Sequence, residues 1–347
     1  MYKCGLSEVV ITPRLGSPIP GSVSDRLSTG TKDDLYAKSA VIETDGTIIA
    51  LIALDAIDVP RWVVERVRSR VHEFTGIPAE HVMVTSTHTH TGGPTIKTSF
   101  VNAVDEAYLN QLADKAADAA VNAYNRRTEA KLGIGRGREA DIAFNRRFRM
   151  ADGTVRMNPG VGNPQALEPV GAIDPDVFVI RIDDAAGHPL GVITNYACHA
   201  CVVGGLDYSG DYPGQLSRSL KRMLGPDVVS LFFPGACGDI NHIDVSGRFP
   251  TANRSHYQVM GDILAGEAVK VRAKTPLQDK PRLQVKSTYV PVRFREPTAE
   301  QIAESERVLG LPEKEAPVTE VKFAKQILAM ARKELSLPDA AQAEIQA

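Results

Sequence analysis

The chain has 347 residues, of which 43% are hydrophobic and 24% charged, and its formal net charge is −2. This balance is that of a globular protein long enough to bury a core without staples, and it gives no broad basic field for nucleic acid. No run of about 18 apolar residues is present to cross a membrane. The opening MYKCGLSEVVITPRLG lacks the apolar stretch of a secretory signal, and only four cysteines are present. A cytoplasmic protein without a disulfide framework is expected.

In chain order, SEVVIT (residues 7–12) reads as a short strand stopped by Pro13. SAVIETDGTIIALIALD (39–55) reads as a hairpin about Asp45-Gly46, a turn pair suited to positive φ, and IIALIAL is apolar on both faces, as a buried central strand would be. Asp58 and Pro60 then open a helix that places Val63, Val67, Val71 and Phe74 on one face and stops at Gly76. HVMVTST (81–87) is a second buried strand, so this span predicts a βαβ unit. An Ala-rich helix follows over 104–124, then strands at 176–183 and 189–197. Pro213 opens a helix with Leu216, Leu220 and Leu224 on one face, ended by Gly225. VVSLFF (228–233) is a buried strand, and residues 255–270 form a helix with Ser255 as cap. RLQVKSTYVPVRF (282–294) reads as a long strand with an edge-type Pro291, and the remainder is helical and charged. The prediction is an α/β fold with a mixed β-sheet core flanked by helices, in one domain over 1–347.

Costly polar residues collect where buried strands end. IIALIALD delivers Asp55, HVMVTSTHTH delivers His88 and His90, GVITNYACHAC delivers Cys198, His199 and Cys201, and VVSLFFPGACGD delivers Cys237 and Asp239. The carboxyl ends of strands are where α/β proteins build sites. His88 and His90, two apart, would share a face of an extended strand, and zinc suits imidazole nitrogen. The plain alternative is a polar strand end whose histidines bond nearby backbone. Cys198 and Cys201 have a CxxC spacing that could carry zinc or redox chemistry, but read more simply as small buried hydrophobes. Asp211, in SGDYPG, could orient a histidine or cap the helix opened by Pro213; Asp55 and Asp239 are further candidates for orienting a ligand. Arg146, in FNRRF, is a candidate for a carbonyl or anion contact.

The ordered set THTHTGGP, FNRR, NYACHACVVGG, YSGDYPG and FFPGACGDINH, together with GLSEVVITPRLG, DDLYAKSAVIETDG and ALIALDAID, resembles the neutral/alkaline ceramidase family from residue 5 to about residue 270. The family are zinc-dependent amidases that cleave the N-acyl bond of ceramide. The resemblance implies that His88 and His199 are zinc ligands, that His90 is the histidine beside the metal, and that Arg146 lines the site. It implies a small-molecule or lipid-like N-acyl substrate and no nucleic-acid partner.

Two departures qualify this. Where the family carries a serine implicated in catalysis, GDINH has Asn241, whose amide can donate to an oxyanion but cannot act as nucleophile or base. Ceramide itself is therefore not the expected substrate. The family's remaining ligands, a glutamate and a tyrosine, lie beyond the helical stretch seen here, so the chain is expected to be C-terminally truncated, without the immunoglobulin-like domain of longer members. The expectation is a zinc-dependent hydrolase of an amide or related bond. The alternatives are a metal- or ligand-binding homologue without turnover, and a thiol-redox protein using Cys198 and Cys201.

Overall fold

Two β-hairpins, each extended by a helix and a parallel strand, make the body of the molecule. The computed structural model describes residues 2–97, 101–249, 255–278, 282–292, 295–312, 314–332 and 341–346. Its main sheet has eight strands: β1 Tyr2–Val10, β2 Tyr36–Thr44, β3 Thr47–Leu54, β4 Val82–Ser86, β5 Thr128–Arg138, β6 Asp176–Asp184, β7 Pro189–Tyr196 and β8 Val229–Pro234. Their order across the sheet is β8-β7-β6-β5-β1-β2-β3-β4. The β3–β4 and β7–β8 pairs are parallel and the others antiparallel. Read outward from the β1–β5 pair, the two halves follow one plan, a hairpin and then a parallel edge strand.

Each parallel pair needs a crossover, and helices supply it. α1 (Arg61–Thr75) joins β3 to β4 and packs on α2 (Glu106–Asn125); α3 (Asp211–Leu224) joins β7 to β8 and packs on α4 (His256–Lys274). The alternation of strand side chains then separates three cores. Ala37, Val41, Ile52 and Leu54 pack with Val63, Val67 and Val71 of α1 and the alanines of α2. Val177, Val179 and Val192 pack with Leu216 and Leu220 of α3 and Leu264 of α4. The opposite strand faces, with Cys4, Ala40, Ile42, Ile182, Ile193 and Leu231, form a core of strand residues between the two sheet halves. Sheet therefore packs on sheet inside, with a helix pair outside each half. The approach is close: a Cβ on Gly191 of β7 would lie 2.3 Å from a methyl of Leu6 in β1. The edge strand β8 also nears β2, β3 and the opposite edge, β4.

The predicted hairpin is present, with Asp45 at φ 48° and Gly46 at φ 79°. Gly76 closes α1 at φ 73°, as expected. Several expectations change. The first strand begins at Tyr2, well before Ser7, and pairs with β2 over eight positions. Phe74 leaves the buried face of α1 and is 57% exposed, with the Arg70 guanidinium 5.4 Å from its ring. α1 starts after Pro60 without a side-chain cap; Asp58 instead accepts the amide of Val59. The strand predicted over 282–294 is confined to Ser287–Val292, paired with Ala341–Gln346; residues 293 and 294 lie outside the described residues. β5 was not expected at all, because alternating glycines at 133, 135 and 137 weaken its strand signal. They are required by packing: a Cβ on each would come within 2.6 Å of Pro276, Thr275 or Glu267.

Candidate metal centre

β4 stops at Ser86, and the THTHT segment runs on as loop across the strand ends. Main-chain bonds fix its course: the His88 amide donates to Ala56 O, the His90 amide to Ala200 O, and the Ser209 amide to Thr91 O, at 2.9, 3.0 and 3.1 Å. Thr89 and Thr91 are fully buried, and both hydroxyls donate to Ser209 O at 2.7 and 3.0 Å. His88 and His90 alternate with them and share one side, as their spacing predicts. The segment is not a regular strand, however: His88 has φ 64°, a left-handed conformation uncommon outside glycine and held by the surrounding bonds. His199 arrives from beyond β7, its amide donating to Ile240 O at 3.1 Å.

The three imidazoles converge. Nε2 of His88 and Nε2 of His199 are 3.2 Å apart, and the His90 ring centroid lies 5.2 Å from that of His88 and 5.3 Å from that of His199. One nitrogen from each lies within 4.8 Å of the others. The outer nitrogens explain the arrangement. Nδ1 of His88, His90 and His199 faces the carbonyl oxygen of Ile57, Gly21 and Cys237 respectively, each at 2.8 Å. A carbonyl only accepts, so each Nδ1 carries the hydrogen and each Nε2 presents a lone pair. Two lone pairs at 3.2 Å repel unless a positive charge lies between them. A proton is disfavoured, because burial holds His90 and His199 down at about 4. Nitrogens bound to one tetrahedral zinc at ~2.0–2.1 Å stand about 3.3 Å apart. The His88–His199 pair has that separation, and the His90 Nε2 is buried with no hydrogen-bond partner among the described residues. The donor set therefore fits a divalent ion, and the three histidines could hold one.

A cavity of about 500 Å³ opens beside His88 and His199, walled by Val59, Val64, Val84, Pro234 and Gly238. Arg146 stands by this wall, donating from Nη2 and Nε to Gly238 O at 2.6 and 3.2 Å. Its charge adds to burial in lowering the His199 pKa.

Other expected site residues are turned elsewhere. Asn241 is 1% exposed; its Nδ2 donates to Asn158 Oδ1 at 2.9 Å and its Oδ1 accepts the Ile243 amide at 3.0 Å. Both the nitrogen and the oxygen of the amide are bonded within the protein, and Asn241 is not among the residues that wall the cavity. The carboxylates do not orient the rings either, since main-chain carbonyls occupy all three Nδ1 positions. Asp55, its pKa raised by burial, accepts the Tyr36 amide at 3.0 Å. Asp239 accepts Nδ2 of Asn145 at 3.0 Å. Asp211, pushed up to about 6 by burial, accepts the amides of Val203 and Tyr212 at 2.8 and 2.6 Å, which ties the loop after His199 to α3. It neither caps a helix opened by Pro213 nor touches a histidine; α3 begins at Asp211 itself. Cys198, Cys201 and Cys237 are free thiols. Burial pushes Cys201 up to about 12 and Cys198 well above its ordinary value, which disfavours thiolate chemistry.

Two supporting residues gave no sequence signal. Gly21 supplies the carbonyl behind His90, and Arg26 donates to His90 O at 2.7 Å. Both lie in a Pro-, Gly- and Ser-rich loop that sequence alone shows only as a loop.

No family model matches the chain, and no curated protein sequence matches it. Solved structures do. The crystal structure of neutral ceramidase from Pseudomonas aeruginosa superposes with a TM-score of 0.70 at 20% identity, covering 87% of this chain and 49% of that one. A structure of a ceramidase complexed with C2 gives a TM-score of 0.69 at 20% identity, covering 85% of this chain and 47% of that one. The chain thus spans about half the length of these structures. Across that span it has the fold of a neutral ceramidase.

Proposed function

We propose that the chain is a metal-dependent amidohydrolase acting on a linear N-acyl bond, with zinc as the metal and a small-molecule or lipid-like N-acyl compound other than ceramide as substrate. The observation that carries this reading is the pair of Nε2 atoms of His88 and His199 facing each other at 3.2 Å, each ring fixed from behind by a carbonyl. These two would hold the ion. Bound there, zinc would polarise the acyl carbonyl and lower the pKa of an attacking water.

The chain's own side chains supply the rest. His90 is half-buried and neutral at pH 7, its Nε2 without a hydrogen-bond partner among the described residues and its ring anchored on Gly21 O. Held at about 4, it is a weak base at rest, so it would take a proton only in passing during attack and give it up readily to the leaving nitrogen. The Arg146 guanidinium, held on Gly238 O beside the cavity, is the group to contact the acyl oxygen. Asn241 acts at one remove by holding the Asn158 turn, whose amide bonds Arg146 O at 2.7 Å. Asp211 and Asp239 position the loops that carry His199 and Arg146.

The test combines elemental analysis with a panel of N-acyl amino acids and N-acyl amines. Zinc near one equivalent and hydrolysis of at least one panel member are expected, with both lost in His88→Ala and His199→Ala. Metal binding without turnover across the panel would favour a non-catalytic ligand-binding homologue. Turnover that survives both substitutions would refute the assignment.

A further inference from the structure

A short antiparallel ribbon projects from the second half of the fold: Arg147–Met150 pairs with Val155–Met157 on one side and with Ala166–Pro169 on the other. The register sets Arg147 opposite Met157 and Arg149 opposite Val155, so these four side chains share a face. Met157 is 55% exposed, and the neighbouring Val161 and Leu167 are 58% and 65% exposed. Val161 lies against the 245–249 turn, where the Gly162 amide donates to Val245 O at 2.8 Å. That turn brings the exposed ring of Phe249 to 5.7 Å from Phe144. Beneath this patch is a cavity of about 900 Å³ whose walls include Phe144, Phe148, Ile173 and Val245. Leu167 and Phe249 belong to both the walls and the exposed patch, so the cavity opens onto it.

Charge decides what such a surface meets. The ribbon (147–169) and the 245–249 turn hold four arginines (147, 149, 156 and 248) against two acids, Asp152 and Glu168, in a chain whose net charge is −2. Arg147 forms no ion pair among the described residues. Arg149 meets Glu168 at 3.5 Å and Arg156 meets Asp152 at 2.8 Å, both pairs well exposed and readily exchanged for other anions. Single apolar side chains standing out among guanidiniums match the interfacial layer of a bilayer, where apolar tips enter the acyl boundary and cationic heads stay with lipid phosphates. A second copy of the chain fits less well, because a two-fold contact would set a patch with more arginines than acids against itself.

We propose that this ribbon and the adjoining 245–249 turn form a docking surface for an anionic lipid membrane, with the cavity mouth turned towards the bilayer. This does not depend on the histidine centre being catalytic. The probe is flotation of the full chain with phosphatidylcholine vesicles made with or without phosphatidylglycerol. Recruitment is expected only with phosphatidylglycerol, falling about fivefold for each arginine removed and weakening with salt. Met157→Glu with Leu167→Glu, both at exposed positions, should abolish recruitment at an unchanged melting temperature. Absence of recruitment, recruitment indifferent to Arg147→Glu with Arg149→Glu, or retention by the Met157→Glu/Leu167→Glu protein would overturn the proposal. So would a dimer, seen by sedimentation, that those glutamates dissolve while vesicles recruit nothing.

Discussion

Gly21 stands directly behind His90, and replacing it by alanine tests whether the loop holds the ring as described. Gly21 has φ 82°, and a Cβ there would lie 2.6 Å from the His90 Cβ and 2.7 Å from its Cα and Cγ. Carbon atoms rest about 3.5–4.0 Å apart without bonding, so the shortfall is about 1 Å. The obstructing atoms are main chain and ring root, which cannot swing away. Two costs follow. The left-handed backbone costs a side-chain-bearing residue roughly 1–2 kcal/mol, and overpacking adds about 1–3 kcal/mol. Gly46→Ala separates them: Gly46 has φ 79° with nothing within 4 Å of its Cβ position, so it carries the backbone cost alone. Urea unfolding should therefore place Gly21→Ala about 1–3 kcal/mol below Gly46→Ala. If relief comes from retreat of the loop, the 2.8 Å bond from His90 Nδ1 to Gly21 O is lost. Histidine nitrogen NMR would then show His90 leaving its single Nδ1–H tautomer. Equal unfolding midpoints with an unchanged His90 signal would refute this account of the loop.

Other consequences are as open to test. Asp183 is fully buried on β6 between Arg181 and the Arg272 guanidinium from α4, so Asp183→Asn should cost about 3–5 kcal/mol in urea unfolding, and a loss under 1 kcal/mol would show the pair to be dispensable. His90, His199 and His242 are held at about 4, chiefly by burial, against 6.5 in the open chain. Between those values the unfolded chain binds protons that the native one refuses, so metal-free protein should be steadily stable above about pH 6.5 and lose stability as pH falls towards 4. An unfolding midpoint that rises on acidification across that window would contradict the burial of these rings. Cys198 and Cys201 should react slowly with a disulfide reagent in the native protein, and all four thiols rapidly in urea; fast native formation of a Cys198–Cys201 disulfide would revive the redox reading.

The sequence was most readable where chemistry and periodicity coincide. The Asp45-Gly46 hairpin, the crossover through α1 and the buried strand before THTH follow from turn chemistry and apolar spacing. That His88, His90 and His199 are site candidates was legible because each follows an apolar run, but their meeting was not, since the strands before them lie towards opposite margins of the sheet. What lay beyond reading was set by distant packing. The glycines of β5 look like loop until α4 and the residues after it are seen to press on them. Carboxylates were expected behind the histidines because only side chains leave a signature in sequence; the carbonyls of Gly21, Ile57 and Cys237 leave none. Asn241 was read from its motif as facing substrate, but the turn at Asn158 claims its amide.

The doubling of the sheet has one more consequence. His88 lies just past β4, one margin of the sheet, and His199 just past β7, the strand next to the other margin. Folding the sheet over brings those margins near each other, and the two edge strands are only five and six residues long, a short flank for a foreign strand. An ion shared by His88 and His199 would stitch that seam across 111 residues of chain, a cross-link whose removal lengthens the free loop much as reducing a disulfide does.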